Sequence, residues 1–387
     1  MRKTMLLAAI AAIAVAATAS AEEPTTTPSS SAPSAQAAAP PAPPAAPPPE
    51  KLSVGGGGLF KPGLLLQGWF LIDHSTDTTS TFRLRRAEFH VKGEIVPGLV
   101  AYGLMIDPSK VLEFQDKTLA VSNQDPPPSD PSEPETVTAK QPAGSVSMLQ
   151  DFFITVTGRY VDVSAGQFKI PVSWEGYNSS SKLLFPERAL VSREFGDKRD
   201  VGLRLSKTFK SFGYSAGVFN GTGQNNLDTN NDKDLALRLE GYPVPGLVLG
   251  GVVYTTVGTR ESNVKDRYEA DIRLERGPLL LQAEYIRAHD IGKAAPGTDA
   301  QGFYGAVAWT FFDKLQPSLR VGHLDPDVDV NVDPATSGGK DEVWHMDVGL
   351  NYYVRKHEAK LQLAFSRFRY ETRAAIDEVV LVGQVAF

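Results

Sequence analysis

From residue 59 onward, apolar and polar side chains alternate at every second residue, in runs of about ten separated by Gly, Pro, Asn and Asp. This is the period of a strand with two unlike faces. In the run from Val201 to Ser206, Val201, Leu203 and Leu205 share one face and Arg204 and Ser206 the other. The runs 235–240, 268–274 and 360–365 repeat the pattern, helical periodicity is scarce, and no stretch of about 20 apolar residues could form a transmembrane helix. Sixteen strands are predicted near residues 64–73, 81–93, 98–107, 148–157, 161–170, 200–209, 213–219, 234–243, 247–257, 265–275, 279–288, 301–312, 317–324, 342–354, 358–369 and 377–387.

A soluble sandwich also alternates, with its apolar face turned to the core. Two features point to a membrane barrel instead. Tight links (94–98, 158–160, 210–213, 244–246, 277–278, 313–316 and 355–357) take turns with longer polar ones, the rhythm of short periplasmic turns and long external loops. The last predicted strand closes on an aromatic residue, Phe387, which resembles the terminal signal of outer-membrane barrels. Sixteen strands leave an aqueous lumen rather than a packed interior. Trp69, Phe70, Tyr254, Trp309, Phe311, Trp344, Tyr352, Tyr353 and Phe387 fall towards strand ends, where interfacial girdles are expected.

The N-terminus adds a compartment. Arg2 and Lys3, an apolar run from Met5 to Ala17 and the small triplet Ala19-Ser20-Ala21 have the layout of a secretory signal over residues 1–21. Residues 22–58 are dominated by Pro, Ala, Ser and Thr and end in a glycine run; this composition predicts a periplasmic linker, polyproline-like and semi-stiff, with a possible contact to a periplasmic partner. The barrel then occupies residues 59–387. The formal charge of −6 becomes −8 without Arg2 and Lys3, which argues against nucleic acid as a partner. The absence of cysteine excludes disulfides and thiolate metal sites.

Several motifs are set aside. Gly213-Tyr214-Ser215-Ala216-Gly217 matches a nucleophile elbow, but no helix is predicted after it. Residues 228–232 resemble the start of a calcium loop, yet Lys233 replaces the required glycine and Leu239 stands where a ligand is needed. The acidic run Asp325, Asp327, Asp329, Asn331, Asp333 reads as an external loop, as does the segment 108–147 with its three consecutive prolines. No cofactor, metal site or catalytic residue is expected.

Particular strings carry a family resemblance: Phe82-Arg83-Leu84-Arg85-Arg86-Ala87, Gly166-Gln167-Phe168-Lys169-Ile170-Pro171, Leu184-Phe185-Pro186-Glu187-Arg188 and Arg199-Asp200-Val201-Gly202. Together they resemble the phosphate-selective porin O and P family, over the whole region from about residue 59. The resemblance implies a trimeric, sixteen-stranded outer-membrane barrel narrowed by a loop in its lumen, and diffusion of small hydrophilic solutes, with anions such as phosphate preferred. Outer-membrane lipid and lipopolysaccharide would surround it.

The residues themselves offer a candidate for that loop. Between Pro171 and Arg199, Leu183, Leu184, Phe185 and Leu190 are more apolar than a solvated loop needs. Its cations Lys182, Arg188, Arg193, Lys198 and Arg199 face Glu175, Glu187, Glu194 and Asp197 in the same segment, either as a field across the water path or as pairs that brace the loop. Strand parity places Lys169, Arg204, Arg238, Arg273, Arg320 and Lys360 on the inner face, together with Glu240, Glu269, Asp271, Glu284 and Asp347. Parity slips at Arg85-Arg86, which predicts a bulge there and leaves their direction open. Two other readings are a barrel plugged by its own loops, acting by binding partners, and a membrane-embedded hydrolase.

Overall fold

The computed structural model describes residues 58–74, 78–112, 148–258, 264–291, 297–328, 342–372 and 374–387, and the backbone of 52–54, 114–121 and 135–142. The expected signal segment and nearly all of the linker lie outside the described residues.

Sixteen antiparallel strands close on themselves. In chain order they are β1 (Gly58–His74), β2 (Thr78–Val96), β3 (Val100–Ile106), β4 (Leu149–Thr157), β5 (Asp162–Lys169), β6 (Arg199–Thr208), β7 (Phe212–Phe219) and β8 (Lys233–Gly241). They continue as β9 (Leu247–Val257), β10 (Val264–Arg276), β11 (Leu279–Ile291), β12 (Thr298–Trp309), β13 (Leu315–Asp325), β14 (Val343–Arg355), β15 (Ala359–Tyr370) and β16 (Ile376–Ala386). Each pairs with its sequence neighbours, and β16 pairs with β1 from Asp377↔His74 to Ala386↔Leu65. Closure leaves no barrel strand with a free edge, as a sheet in lipid requires. Leu52–Val54 adds three residues alongside the start of β1.

The faces are inverted relative to a soluble protein. Leu203, Leu205, Leu237, Val253, Leu319, Val348, Leu361 and Leu381 are exposed on the outside, whereas Gln67, Arg238, Glu284, Arg320, Asp347, Lys360 and Gln384 are buried inside. This matches a wall with lipid outside and a polar lumen within. On β2 the expected bulge is present: Gln67 pairs with Arg86 and Gly68 with Leu84, leaving Arg85 as the extra residue. One inserted residue turns both arginines inward, because parity is reset between them.

Three aromatics depart from the expected girdle. Trp69, Tyr254 and Tyr353 turn inward: Trp69 packs with Val380 and Val382, and the Tyr254 and Tyr353 hydroxyls donate to Asp234 and Gln316. Their distance from strand ends suggested girdles, but their parity with inward-facing neighbours decides the direction. Trp309, Phe311, Trp344, Tyr352 and Phe387 are exposed on the outside. The segment 108–147 is also more regular than a flexible loop, with a 3₁₀ turn at Pro108–Leu112 and a hairpin of Phe114–Val121 with Glu135–Pro142. The elbow-like motif lies within β7, followed by an extended loop; most of the acidic run at 325–333 is outside the described residues.

Candidate functional site

The connection between β5 and β6 does not leave the barrel. Residues 170–198 fold into the lumen as a short helix α1 (Trp174–Tyr177), a 3₁₀ turn (Ser180–Lys182) and a second helix α2 (Leu190–Phe195). Local chemistry starts and closes this path. Pro171 cannot continue the β5 ladder. Ser173 takes a positive φ of 66° and caps α1 by accepting the Gly176 N–H at 2.9 Å. The two stems then meet: a Cβ on Gly196 would lie 2.2 Å from Ser173 Cβ, and one on Gly176 would lie 2.4 Å from the Asp197 amide nitrogen. Only glycine permits that approach.

The loop is braced from within. Asp197 joins Lys169 at 2.7 Å and Arg188 at 2.9 Å, and Arg188 also donates to the Glu175 and Asn178 carbonyls. Burial would raise the Asp197 carboxyl, but Lys169 and Arg188 hold it well below the usual range. Burial likewise opposes ionisation of Glu187, yet the Arg86 and Arg85 guanidiniums bring it down to about 2. Glu175 is pushed upward, with burial outweighing Arg320.

The barrel wall grips the loop in three ways. Leu184, Phe185, Ala189, Val191 and Phe195 pack on Ile286, Ala288, Ala300, Tyr304 and Ala306 of β11 and β12, an apolar wall that an open water channel would not favour. A row of inward side chains donates to loop carbonyls: Gln384 to Ser181 at 3.0 Å, Lys360 to Leu183 at 2.8 Å, Asn351 to Leu184 at 2.9 Å and Arg320 to Glu187 at 3.1 Å. Carboxylates on β10 and β11 accept loop amides, Glu269 from Ser173 and Trp174, and Glu284 from Glu175. Each grip satisfies backbone groups that an irregular loop would otherwise leave unpaired.

Against the wall of β2–β6 the loop leaves a cavity of about 190 Å³, lined by Glu88, His90, Lys92, Asp151, Lys169, Arg199, Tyr177 and Ser179 among others. Of the cations expected at the constriction, Lys169 and Arg199 line this cavity, and Arg199 pairs with Asp151 at 2.8 Å. Arg204 stands beside it, bonded to the Tyr177 hydroxyl at 2.8 Å. Lys182, Arg193 and Lys198 are exposed on the loop. Arg188, Arg238, Arg320 and Lys360 are buried in the supports: Arg238 binds Glu240, Glu269 and Asp271, and Arg320 binds Asp347 and Glu175. Arg85 meets Glu187, and Arg273 lies over the Trp174 ring and pairs with Glu275.

Sequence reasoning left the direction of Arg86 open and passed over His90, Lys92 and the amides Gln67, Asn351, Gln362 and Gln384. All lie on inward positions of their strands: parity applied to uncharged polar residues would have found the amides, and parity restarted after the bulge at Arg85 would have found Arg86, His90 and Lys92. Asp228 pairs with Lys233, and its loop is held by Asx-type bonds in which the Asn230 and Asp232 amides donate to the Asp228 and Asn230 side chains.

The family model for phosphate-selective porin O and P matches residues 71–255 and 252–385, nearly the whole barrel. The chain belongs to this porin family. A search of curated proteins by sequence gives no match. Solved structures similar in fold include Salmonella typhi OmpF in complex with daunomycin (TM-score 0.59, 10% identity, covering 86% of this chain and 98% of that one). The anion-selective porin from Comamonas acidovorans gives 0.54, 10%, 85% and 100%. In-vitro folded OmpT of Vibrio cholerae, in its trimer form, gives 0.55, 9%, 85% and 99%. The porin is therefore an outer-membrane β-barrel that serves as a channel for small solutes.

Proposed function

We propose that this porin passes small hydrophilic anions, phosphate among them, by passive diffusion, without enzymatic chemistry, and that it works as a homotrimer carried to the outer membrane by residues 1–21 and tethered through residues 22–58. One observation carries the anion preference: the loop separates the lumen charges. Glu175, Glu269, Asp271, Glu284 and Asp347 are buried under or behind the loop, away from the passage. The passage side presents Lys92, Lys169, Arg199 and Arg204 against Glu88 and Asp151. Asp151 is engaged by Arg199, and Glu88 lies 3.9 Å from Arg86 and 3.4 Å from His90. With Asp197, which pairs with Lys169, counted beside Glu88 and Asp151, the four cations leave this side one positive charge in excess, and a positive lining in low-dielectric walls would concentrate anions. The trimer reading draws on the family and on the trimeric form of the Vibrio cholerae neighbour.

The test is single-channel recording of the folded protein in a planar bilayer. A reversal potential under a salt gradient that favours anions, with current reduced by added phosphate, is the expected result. Steps without ion preference would retain the pore and discard the selectivity. A correctly folded barrel that never conducts would favour the plugged, partner-binding reading, for which the many wall contacts of the loop are the motive.

A further inference from the structure

We propose that the outer face of β13–β15, at its external end, holds a phosphorylated, sugar-headed lipid of the outer leaflet. Parity sets Trp344, Met346, Arg367 and Arg369 on the outside, and the register pairs Trp344 with Arg369 and Met346 with Arg367. Below them the same face is purely apolar, through Val348, Leu350, Leu361 and Leu363, all exposed. Above them it opens into a cleft of about 480 Å³ lined by Glu342, Trp344, Arg369, Tyr370 and Glu371.

The aromatic floor of this cleft is held rigidly. The Trp344 ring lies 4.6 Å from that of His323 and edge-on to Phe303 at 5.7 Å, and His323 Nε2 is 2.8 Å from Glu342 Oε1. An aromatic girdle accounts for a tryptophan at this height, and guanidinium groups beside it lie where arginine can reach headgroup anions above the acyl chains. Arginine on a lipid-facing wall is unfavourable unless it reaches an anion or water. Arg367 is half-exposed and only loosely engaged by Asp377 at 3.5 Å; Arg369 is exposed.

The three zones fit one kind of molecule. Acyl chains lie along the Val348–Leu363 stripe, the flat Trp344 ring receives the face of a sugar, and the Arg367 and Arg369 guanidiniums meet phosphate oxygens in the bidentate manner open to arginine. Glu342 and Glu371 offer acceptors to sugar hydroxyls. A glycerophospholipid supplies the phosphate and chains but leaves the aromatic floor and these carboxylates unused. Lipopolysaccharide supplies all of them.

The folded full-length protein in detergent, titrated with lipopolysaccharide and in parallel with phosphatidylglycerol, tests this. Wild type is expected to bind lipopolysaccharide at least tenfold more tightly than phosphatidylglycerol. The double variant R367Q/R369Q is expected to lose about tenfold of that affinity, and Trp344→Leu at least fivefold. Both should keep heat-modifiable migration and wild-type conductance, since these side chains face away from the lumen. Unchanged affinity in both variants, or equal binding of the two lipids by wild type, overturns the proposal. Loss of oligomer in the variants with lipid binding intact also overturns it, assigning the face to a second copy of the chain.

Discussion

At the residue scale, Glu187 is the tie between the loop and β2. It sits between Arg85 at 2.5 Å and Arg86 at 3.4 Å, and those two can meet it together only because the bulge turns both inward. Replacing it with Gln leaves two inward guanidiniums without their anion, at a cost of about 1.5–3 kcal/mol by the usual worth of a charged hydrogen bond. Glu187→Gln is expected to make the open channel noisier and to lower the temperature at which the folded band is lost on a gel. Quiet wild-type currents would show that the apolar packing alone holds the loop. The pH response has a defined sign. The folded value of Glu187, about 2, lies below its ordinary 4.5, and Asp197 is depressed too. Their contribution is complete above the ordinary carboxylate range and is lost as pH falls through about 2. Single-channel currents should stay steady from pH 7 to about 4 and become unstable only near the lower value. Instability setting in above the ordinary carboxylate value would move the tie to another group, such as Glu175, the loop carboxyl that burial pushes upward.

At the scale of the element, the loop 170–198 depends on apolar docking and on two glycines. Phe185 is buried on β11–β14, beneath the Arg320 guanidinium at 4.5 Å and close to Gly349. Phe185→Ala removes that contact at about 3–5 kcal/mol for a large buried aromatic, and a larger mean conductance with weaker ion preference is expected. Gly196→Ala tests the stem: its backbone is extended, so the effect would come from contact with Ser173 rather than from dihedral strain. It should reproduce the phenotype of Phe185→Ala, and conductance as narrow as wild type would mean that the stems can part without releasing the loop. The strands themselves were legible early because their period of two survives in every segment. The loop was legible as an apolar, charge-rich interruption. Its route along β10–β16 was not, because the side chains that fix it, the acceptors Glu269 and Glu284 and the donors Arg320, Asn351, Lys360 and Gln384, lie 95 to 203 residues in sequence from the loop groups they bond.

Across the whole molecule, the proposed selectivity depends on which lumen charges the loop covers. Lys92→Glu places a carboxylate on the passage without touching the loop supports and should shift the reversal potential towards cations. Glu284→Gln, under the loop, should leave ion preference nearly unchanged. Comparable shifts from both would mean that the covered wall is felt by permeating ions, and the separation of charges would lose its explanatory force.

The sequence by itself determined the class of the fold, the number of strands, the inward or outward direction of most side chains and the segment that narrows the channel. Alternation at period two is a local property, so Arg238, Glu269, Arg320 and Lys360 could be placed on the inner face from their neighbours alone. Only the tertiary structure decided which of those inward charges lie under the loop and which line the cavity beside it. Arg188 and Arg320 look equivalent to Lys169 and Arg199 along the chain. The loop covers the first pair and leaves the second lining the cavity against β2–β6, where Lys169 pairs with Asp197 and Arg199 with Asp151, because its apolar face finds its match on β11 and β12 and its carbonyls find donors on β13–β16. That choice of wall rests on contacts between distant strands brought together by closure of the barrel, and no local pattern encodes it.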